Sequence, residues 1–151
     1  EIANDNSEGQ IVLSGKTQDL EKMSLFLKEK KIKNIKLPVS APFHCSLMKK
    51  ATDIMNLELH KLNFKKGQNV LISNITADEI FNADELKRLL TQQIENRVRW
   101  RESVLHMIDN GVNQFIEIGP GKVLSGLIKR INKEVVVSSI NNVEDIKNIK
   151  I

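Results

Sequence analysis

Gln114-Phe115-Ile116-Glu117-Ile118 runs into Gly119-Pro120-Gly121, and Val123–Ile131 and Val135-Val136-Val137 follow at once. A short apolar run closed by two glycines and a proline reads as a buried strand entering a tight turn. Val123–Ile131 then reads as a helix and Val135–Val137 as a last strand. A strand, a helix and a second strand in so short a span imply parallel pairing, because parallel strands need a crossover between them. The same alternation continues outward, and it predicts an α/β fold.

Upstream, a helix is predicted from about Arg99 to Asn110, stopped by Gly111 as a C-terminal glycine. Another opens at Asn82-Ala83-Asp84-Glu85 and runs to about Gln93, with Asn82 as cap over an acidic first turn. Val70 to Ile75 reads as a strand behind the breaker Gly67, and Leu47 to about Phe64 as one long amphipathic helix. Toward the N-terminus, Ile35–Val39 reads as an edge strand because of Pro38. Residues 17–30 read as a helix capped by Thr17, with Leu20, Met23, Phe26 and Leu27 as its apolar stripe. Ile11–Leu13 reads as a buried strand, and the polar stretch Asn4–Gln10 as a loop. The residues after Ile140 read as a polar tail and a natural end. The opening Glu1-Ile2-Ala3-Asn4 reads as the interior of a longer protein rather than a leader.

Composition narrows the function classes. The chain has 151 residues, 40% hydrophobic and 28% charged, enough to bury a core. No apolar run approaches the ~20 residues of a membrane span, so no membrane role is expected. One cysteine, Cys45, excludes a disulfide framework, and three scattered histidines make a metal site unexpected. The net charge of +4 rests on few arginines, aromatics are 4% and tyrosine is missing, which speaks against a nucleic-acid surface. A cytoplasmic protein is expected.

Among ionisable groups His44 stands out, in Ala41-Pro42-Phe43-His44-Cys45 at a strand-to-helix turn. Ligand sites of open α/β sheets gather at such places, and a histidine there can serve as a general base. The alternative is a turn histidine packed on Pro42 and Phe43. Cys45, adjacent in sequence, points away from His44 in extended backbone and reads as a small buried residue. No serine stands in a Gly-x-Ser-x-Gly elbow. Gly119-Pro120-Gly121-Lys122 lacks the spacing of a phosphate loop. Its turn either offers amides to an anion or is purely structural.

Leu37-Pro38-Val39-Ser40-Ala41-Pro42-Phe43-His44-Cys45-Ser46-Leu47-Met48 resembles the histidine segment of the malonyl-CoA:acyl carrier protein transacylases. Three further stretches agree in order and spacing: Asn6–Gly15, Asn96–Val104 and Glu117–Leu127. The resemblance implies a hydrolase-like α/β core and a ferredoxin-like small subdomain. Residues 1–38 would be the remaining half of the subdomain, and 39–151 the C-terminal part of the core. It implies malonyl transfer from coenzyme A, a substrate rather than a bound cofactor, to the phosphopantetheine thiol of acyl carrier protein in fatty acid synthesis. His44 would be the general base, oriented by the backbone carbonyl of Gln93. Asn6 and Asn74 match asparagines of the cleft or, alternatively, hold loops together. Gln10 and the backbone at Val123 match positions near coenzyme A. Lys33 falls near a phosphate-binding position or is an ordinary surface lysine, and Lys122, Lys129 and Arg130 would face an acidic carrier.

The family's serine elbow, oxyanion glutamine and carboxylate-binding arginine all precede these motifs and are not in the chain. The resemblance thus covers a C-terminal half, which implies an inactive chain alone, exposed apolar edges, and a missing N-terminal half as partner. A non-catalytic half-domain binding the acyl carrier protein, or an acyltransferase segment of a polyketide synthase, are the competing readings. Phe43 before the histidine would crowd an α-methyl group, so malonyl should be preferred to methylmalonyl. In the complete protein the malonyl thioester should react faster, with Phe43→Ser narrowing the gap; equal parent rates would overturn the assignment.

Overall fold

The computed structural model describes residues 1–65 and 67–149, and among them the core lies where the opening stretch placed it. β5 (Gln114–Ile118) and β6 (Val136–Ile140) pair in parallel from Gln114 opposite Val136 to Ile118 opposite Ile140. The crossover is α5 (Val123–Ile131). Val104 of α4 (Trp100–Asp109), Phe115, Ile128 and Val135 are buried together, and Trp100, Met107, Ile108, Ile131 and Val137 pack around them. On α4 the spacing of Trp100, Val104, Met107 and Ile108 puts all four on one helical face. Gly111 ends that helix at φ +89, a conformation that costs glycine nothing.

The remaining sheet is local and antiparallel. β1 (Ile2–Ser7) and β2 (Gln10–Leu13) form a hairpin through Glu8-Gly9, and β3 (Leu71–Ile72) and β4 (Glu79–Ile80) form a shorter one. The helices α1 (Thr17–Glu29), α2 (Lys49–His60) and α3 (Ala83–Gln93) lie between these pieces, and α6 (Val143–Asn148) follows β6. A short 3-10 turn, Ser46–Met48, leads into α2. The Asn82 side chain caps α3 by accepting from the Glu85 N–H at 2.8 Å, as its place before the acidic turn predicts.

Several expectations need correction. Asn4–Gln10 is not a loop but most of β1, its turn and the start of β2, because distant partners hold it: Asp5 pairs with Arg101, and Asn4 bridges Val98 in parallel. Its buried positions are Ala3 and Ser7, too small to show as hydrophobic alternation. β2 is a strand as expected, yet Ile11 and Leu13 are exposed rather than buried. Ile35–Val39 forms no strand. Residues 32–39 are irregular, since among the described residues no strand pairs with them and Pro38 has no N–H to give. The Val70–Ile75 strand shrinks to two residues where Ser73 turns the chain, the polar tail contains α6, and Thr17 is the first residue of α1 rather than its cap.

Ahead of α5 the glycine turn is tied to the strand before it. Glu117 reaches forward from β5 and accepts from the N–H of Leu124 at 3.1 Å, the N–H of Ser125 at 2.8 Å and the Ser125 hydroxyl at 2.6 Å. A carboxylate therefore already occupies the positive end of the helix. Those bonds, the Ser125 hydroxyl foremost, hold the Glu117 carboxyl below the usual carboxylate range. The basic residues of α5 stay exposed while bonding locally. The Lys129 ammonium donates to the carbonyls of Lys133 and Val135, and the Arg130 guanidinium donates to the Gln10 side chain.

Apolar side chains are widely exposed: the α1 stripe at Met23 and Phe26, Ile35 at 76% and Ile118 of β5 at 80%. That is the edge exposure expected of half a sheet. A lone 151-residue chain should self-associate, with sedimentation showing species above the monomer. For α5, Glu117→Ala should lower stability by about 1 kcal/mol, the typical worth of a cap. A depressed carboxyl stabilises above its unfolded value and loses that contribution as pH falls through the folded one. The variant's urea midpoint should therefore fall less than the parent's between pH 5 and pH 3.

Candidate functional site

The site is assembled at the C-terminal end of α3. A helix leaves its last carbonyls without intrahelical partners. Here the Thr91 carbonyl accepts from Ile94 N–H at 3.4 Å and the Gln92 carbonyl from Glu95 N–H at 3.3 Å. The next two both meet His44. Its ring Nδ1 lies 2.9 Å from the Gln93 carbonyl oxygen, and its backbone N–H donates to the Ile94 carbonyl at 3.2 Å. A carbonyl oxygen can only accept, so Nδ1 carries the proton and the lone pair of neutral imidazole sits on Nε2. One residue is held by backbone and side chain against two successive acceptors.

That grip needs an unusual backbone. His44 has φ +59, in the left-handed region that side-chain-bearing residues seldom adopt, although histidine enters it more readily than most. Its neighbours pin the turn. Cys45 is fully buried, with its thiol 3.1 Å from the Pro42 carbonyl, a packed residue and not a nucleophile. The Glu1 carboxylate accepts from the Ser46 N–H at 3.1 Å and from the Ser46 hydroxyl. The hydroxyl first and the amide second lower the Glu1 carboxyl below its ordinary value. Phe43, the preceding residue, is half exposed.

Beyond α3 the chain enters a clasp. Val98 donates its N–H to Ala3 O at 2.8 Å and accepts from Asp5 N–H at 3.0 Å, and Arg99 N–H donates to Asn74 O at 2.9 Å. The Arg99 guanidinium then crosses to the Thr76 carbonyl at 2.8 Å and pairs with Glu102. That pairing raises Arg99 and lowers Glu102 from their ordinary values. Arg101 grips Asp5 with two parallel bonds of 3.2 and 3.1 Å. Residues 93–101 thus join the histidine turn, the hairpin bearing Asn6 and the Ser73–Asp78 loop bearing Asn74. Gln10 is drawn instead to Arg130 on α5, and Val123 is the exposed first residue of that helix. Lys33 is exposed in the irregular 32–39 stretch, joined to none of the others by a described hydrogen bond.

Sequence reasoning missed Ile94 and Arg99 as parts of this frame, and Glu117 as the acceptor at the start of α5. No motif marks a backbone acceptor, and a tertiary arginine bond has no local pattern. The clustering of Arg97, Arg99, Arg101 and Glu102 was the one available signal. Among the described residues no group of three or more His, Cys, Asp or Glu could hold a metal. A groove of about 600 Å3 between α2 and α3, lined by Lys49, Asn56, Lys87, Thr91 and Glu95, does not include His44. No helix of the described residues is long and apolar enough to cross a membrane.

No protein-family model matches the chain. Whole-protein comparison does. The chain is 40% identical to the malonyl CoA-acyl carrier protein transacylase of Bacillus subtilis over 148 residues, which is 97% of this chain and 47% of that one. It is 38% identical to the Escherichia coli transacylase, over 91% of this chain and 45% of that one. The crystal structure of the Clostridium perfringens transacylase superposes with a TM-score of 0.92 at 42% identity, over 98% of this chain and 47% of that one. A malonyl-transacylase solved with a type II polyketide acyl-carrier protein superposes at 0.93 with 34% identity, over 98% and 48%. The chain spans about half the length of the curated relatives it matches.

The Arg99 bridge yields a test of the clasp. Arg99→Gln removes the Thr76 and Glu102 contacts, and amide exchange at Ile75 and Ala77 should accelerate about tenfold while α5 amides keep their rates. Equal exchange in parent and variant would show that the loop is held by other means.

Proposed function

We propose that this chain, which belongs with the C-terminal half of the malonyl-CoA:acyl carrier protein transacylases, supplies the general base of malonyl transfer between coenzyme A and acyl carrier protein. The observation that carries this reading is the His44 Nδ1 contact with the Gln93 carbonyl at 2.9 Å, which leaves Nε2 as the basic atom. A serine from the complementary part of the longer protein would attack the malonyl thioester while Nε2 takes its proton. The imidazolium would then return that proton to the departing coenzyme A thiolate. In the second half-reaction Nε2 accepts the phosphopantetheine thiol proton, the sulfur attacks the acyl-serine, and the proton passes back to the serine oxygen. Coenzyme A is a substrate here, and no bound cofactor takes part.

A carbonyl in place of a carboxylate orients the ring without adding a full negative charge, so transfer relies on geometry more than on charge. On this reading Asn6 and Asn74 line the cleft on either side of the clasp, Phe43 faces the acyl group, and Gln10, Lys33 and Val123 lie toward coenzyme A. The small subdomain ends near residue 38, within the irregular 32–39 stretch, and the acyltransferase core follows. The protein works in the cytoplasm, beside its soluble carrier. Fatty acid synthesis is the pathway the relatives' carrier chemistry favours.

The test is complementation. The 151-residue chain mixed with a separately made N-terminal half should transfer malonyl groups, and neither half alone should. Replacing His44 with alanine should cut the restored rate by roughly 10²–10⁴-fold, the usual worth of a general base. Carrier binding without turnover in the mixture would instead favour a binding half-domain.

A further inference from the structure

We propose that Asn96 is a positioning residue for His44. The inference rests on the reading of His44 as the base, but its test does not use malonyl transfer. In a continuing α-helix the Asn96 backbone N–H would bond to the carbonyl of Gln92, four residues back. Instead the Asn96 side-chain amide takes that carbonyl, at 2.7 Å. The side chain thereby replaces its own main chain in the helical ladder, and the backbone leaves the helix at Glu95. Had α3 run on, the N–H of Arg97 would have claimed the Gln93 carbonyl and that of Val98 the Ile94 carbonyl. These are the two acceptors that hold the ring and the N–H of His44. Val98 is removed from competition because its N–H is given to Ala3. Asn96 does the same service one step earlier, by stopping the helix before Arg97 can reach back.

The Asn96 side chain touches neither the ring nor any cleft residue among the described hydrogen bonds, and the residue is exposed. Its effect must pass through the shape of the helix end. If Asn96 is lost, α3 can gain a further residue, the Gln93 carbonyl turns into the helix, and the imidazole is free to put its proton on either nitrogen. In the base's working form Nδ1 is protonated, so a mixed population places the lone pair on the wrong atom part of the time.

The readout is the tautomer of His44, from the nitrogen shifts of its ring in the ¹⁵N-labelled 151-residue chain at a pH where the imidazole is neutral. The parent should show the Nδ1–H form. Asn96→Ala should lower the ratio of Nδ1–H to Nε2–H by about fivefold or more, the worth of one ordinary hydrogen bond. Asn96→Asp, the same shape without a donor, should do likewise, while Asn96→Ser, which keeps a short donor able to bond four residues back, should recover part of the parent ratio. Unchanged amide shifts for Val104 and Phe115 would show that the core is intact. An unaltered ring signal in Asn96→Ala or Asn96→Asp overturns the proposal. So does loss of the whole fold in both, which would make Asn96 a general structural residue. Failure of the complementation assay alone leaves this result standing, because no acyl group is involved.

Discussion

Everything around the candidate base depends on how one helix ends. The last turn of α3 could have spent its carbonyls on the next N–H groups of the chain, as most helices do when they taper into a tighter turn. Here the chain departs early, and the two carbonyls at Gln93 and Ile94 are taken by a residue 49 positions before the first of them. A ring fixed by a single hydrogen bond can still swing about that bond. A ring whose backbone N–H is also fixed, one carbonyl along, has far less freedom, and this is the preorganisation that proton transfer at a defined atom requires. The departure is enforced from the other side by the 98–101 clasp, which commits the following residues to β1, to the Asn74 loop and to Asp5.

Local rules made much of this architecture legible. Gly111 and Asn82 marked a helix end and a helix start through backbone freedom and side-chain capping, both of which act within a few residues. The βαβ unit was readable because its strands are apolar and its crossover is short. β1 was not, since what makes Asn4–Ser7 a strand is a partner at Val98 and an arginine at position 101, nearly a hundred residues away. Ile35–Val39 failed in the opposite sense: its composition suits a strand, yet composition cannot supply a neighbour to pair with. At the site, His44 was legible from its motif. Its left-handed backbone and its second anchor at Ile94 were not, because both belong to the tertiary packing of one turn on another.

The exposed apolar surface stands beside a match to about half the length of the curated relatives. A two-stranded parallel sheet is seldom left open, since parallel sheets are normally covered on both faces. β5 and β6 are covered by α4 and α5 on the side of Val104 and Ile128, but Ile118 looks outward. The relatives supply roughly as many residues again. The basic groups Lys129 and Arg130 are exposed on α5 while bonding to nearby carbonyls and to Gln10. Glu117 likewise accepts from the N–H groups of Leu124 and Ser125 at the start of α5.

The left-handed backbone of His44 also bears on how this position can vary. A replacement there must satisfy two filters at once: imidazole chemistry for its ring, and tolerance of a torsion that glycine and asparagine accept and β-branched residues resist. Sequence drift through valine, isoleucine or threonine would unseat the turn before chemistry was even considered. Asparagine, by contrast, could sit in the same fold as a silent occupant, so a lineage that abandoned the reaction would be expected to keep the shape and exchange the ring for an amide.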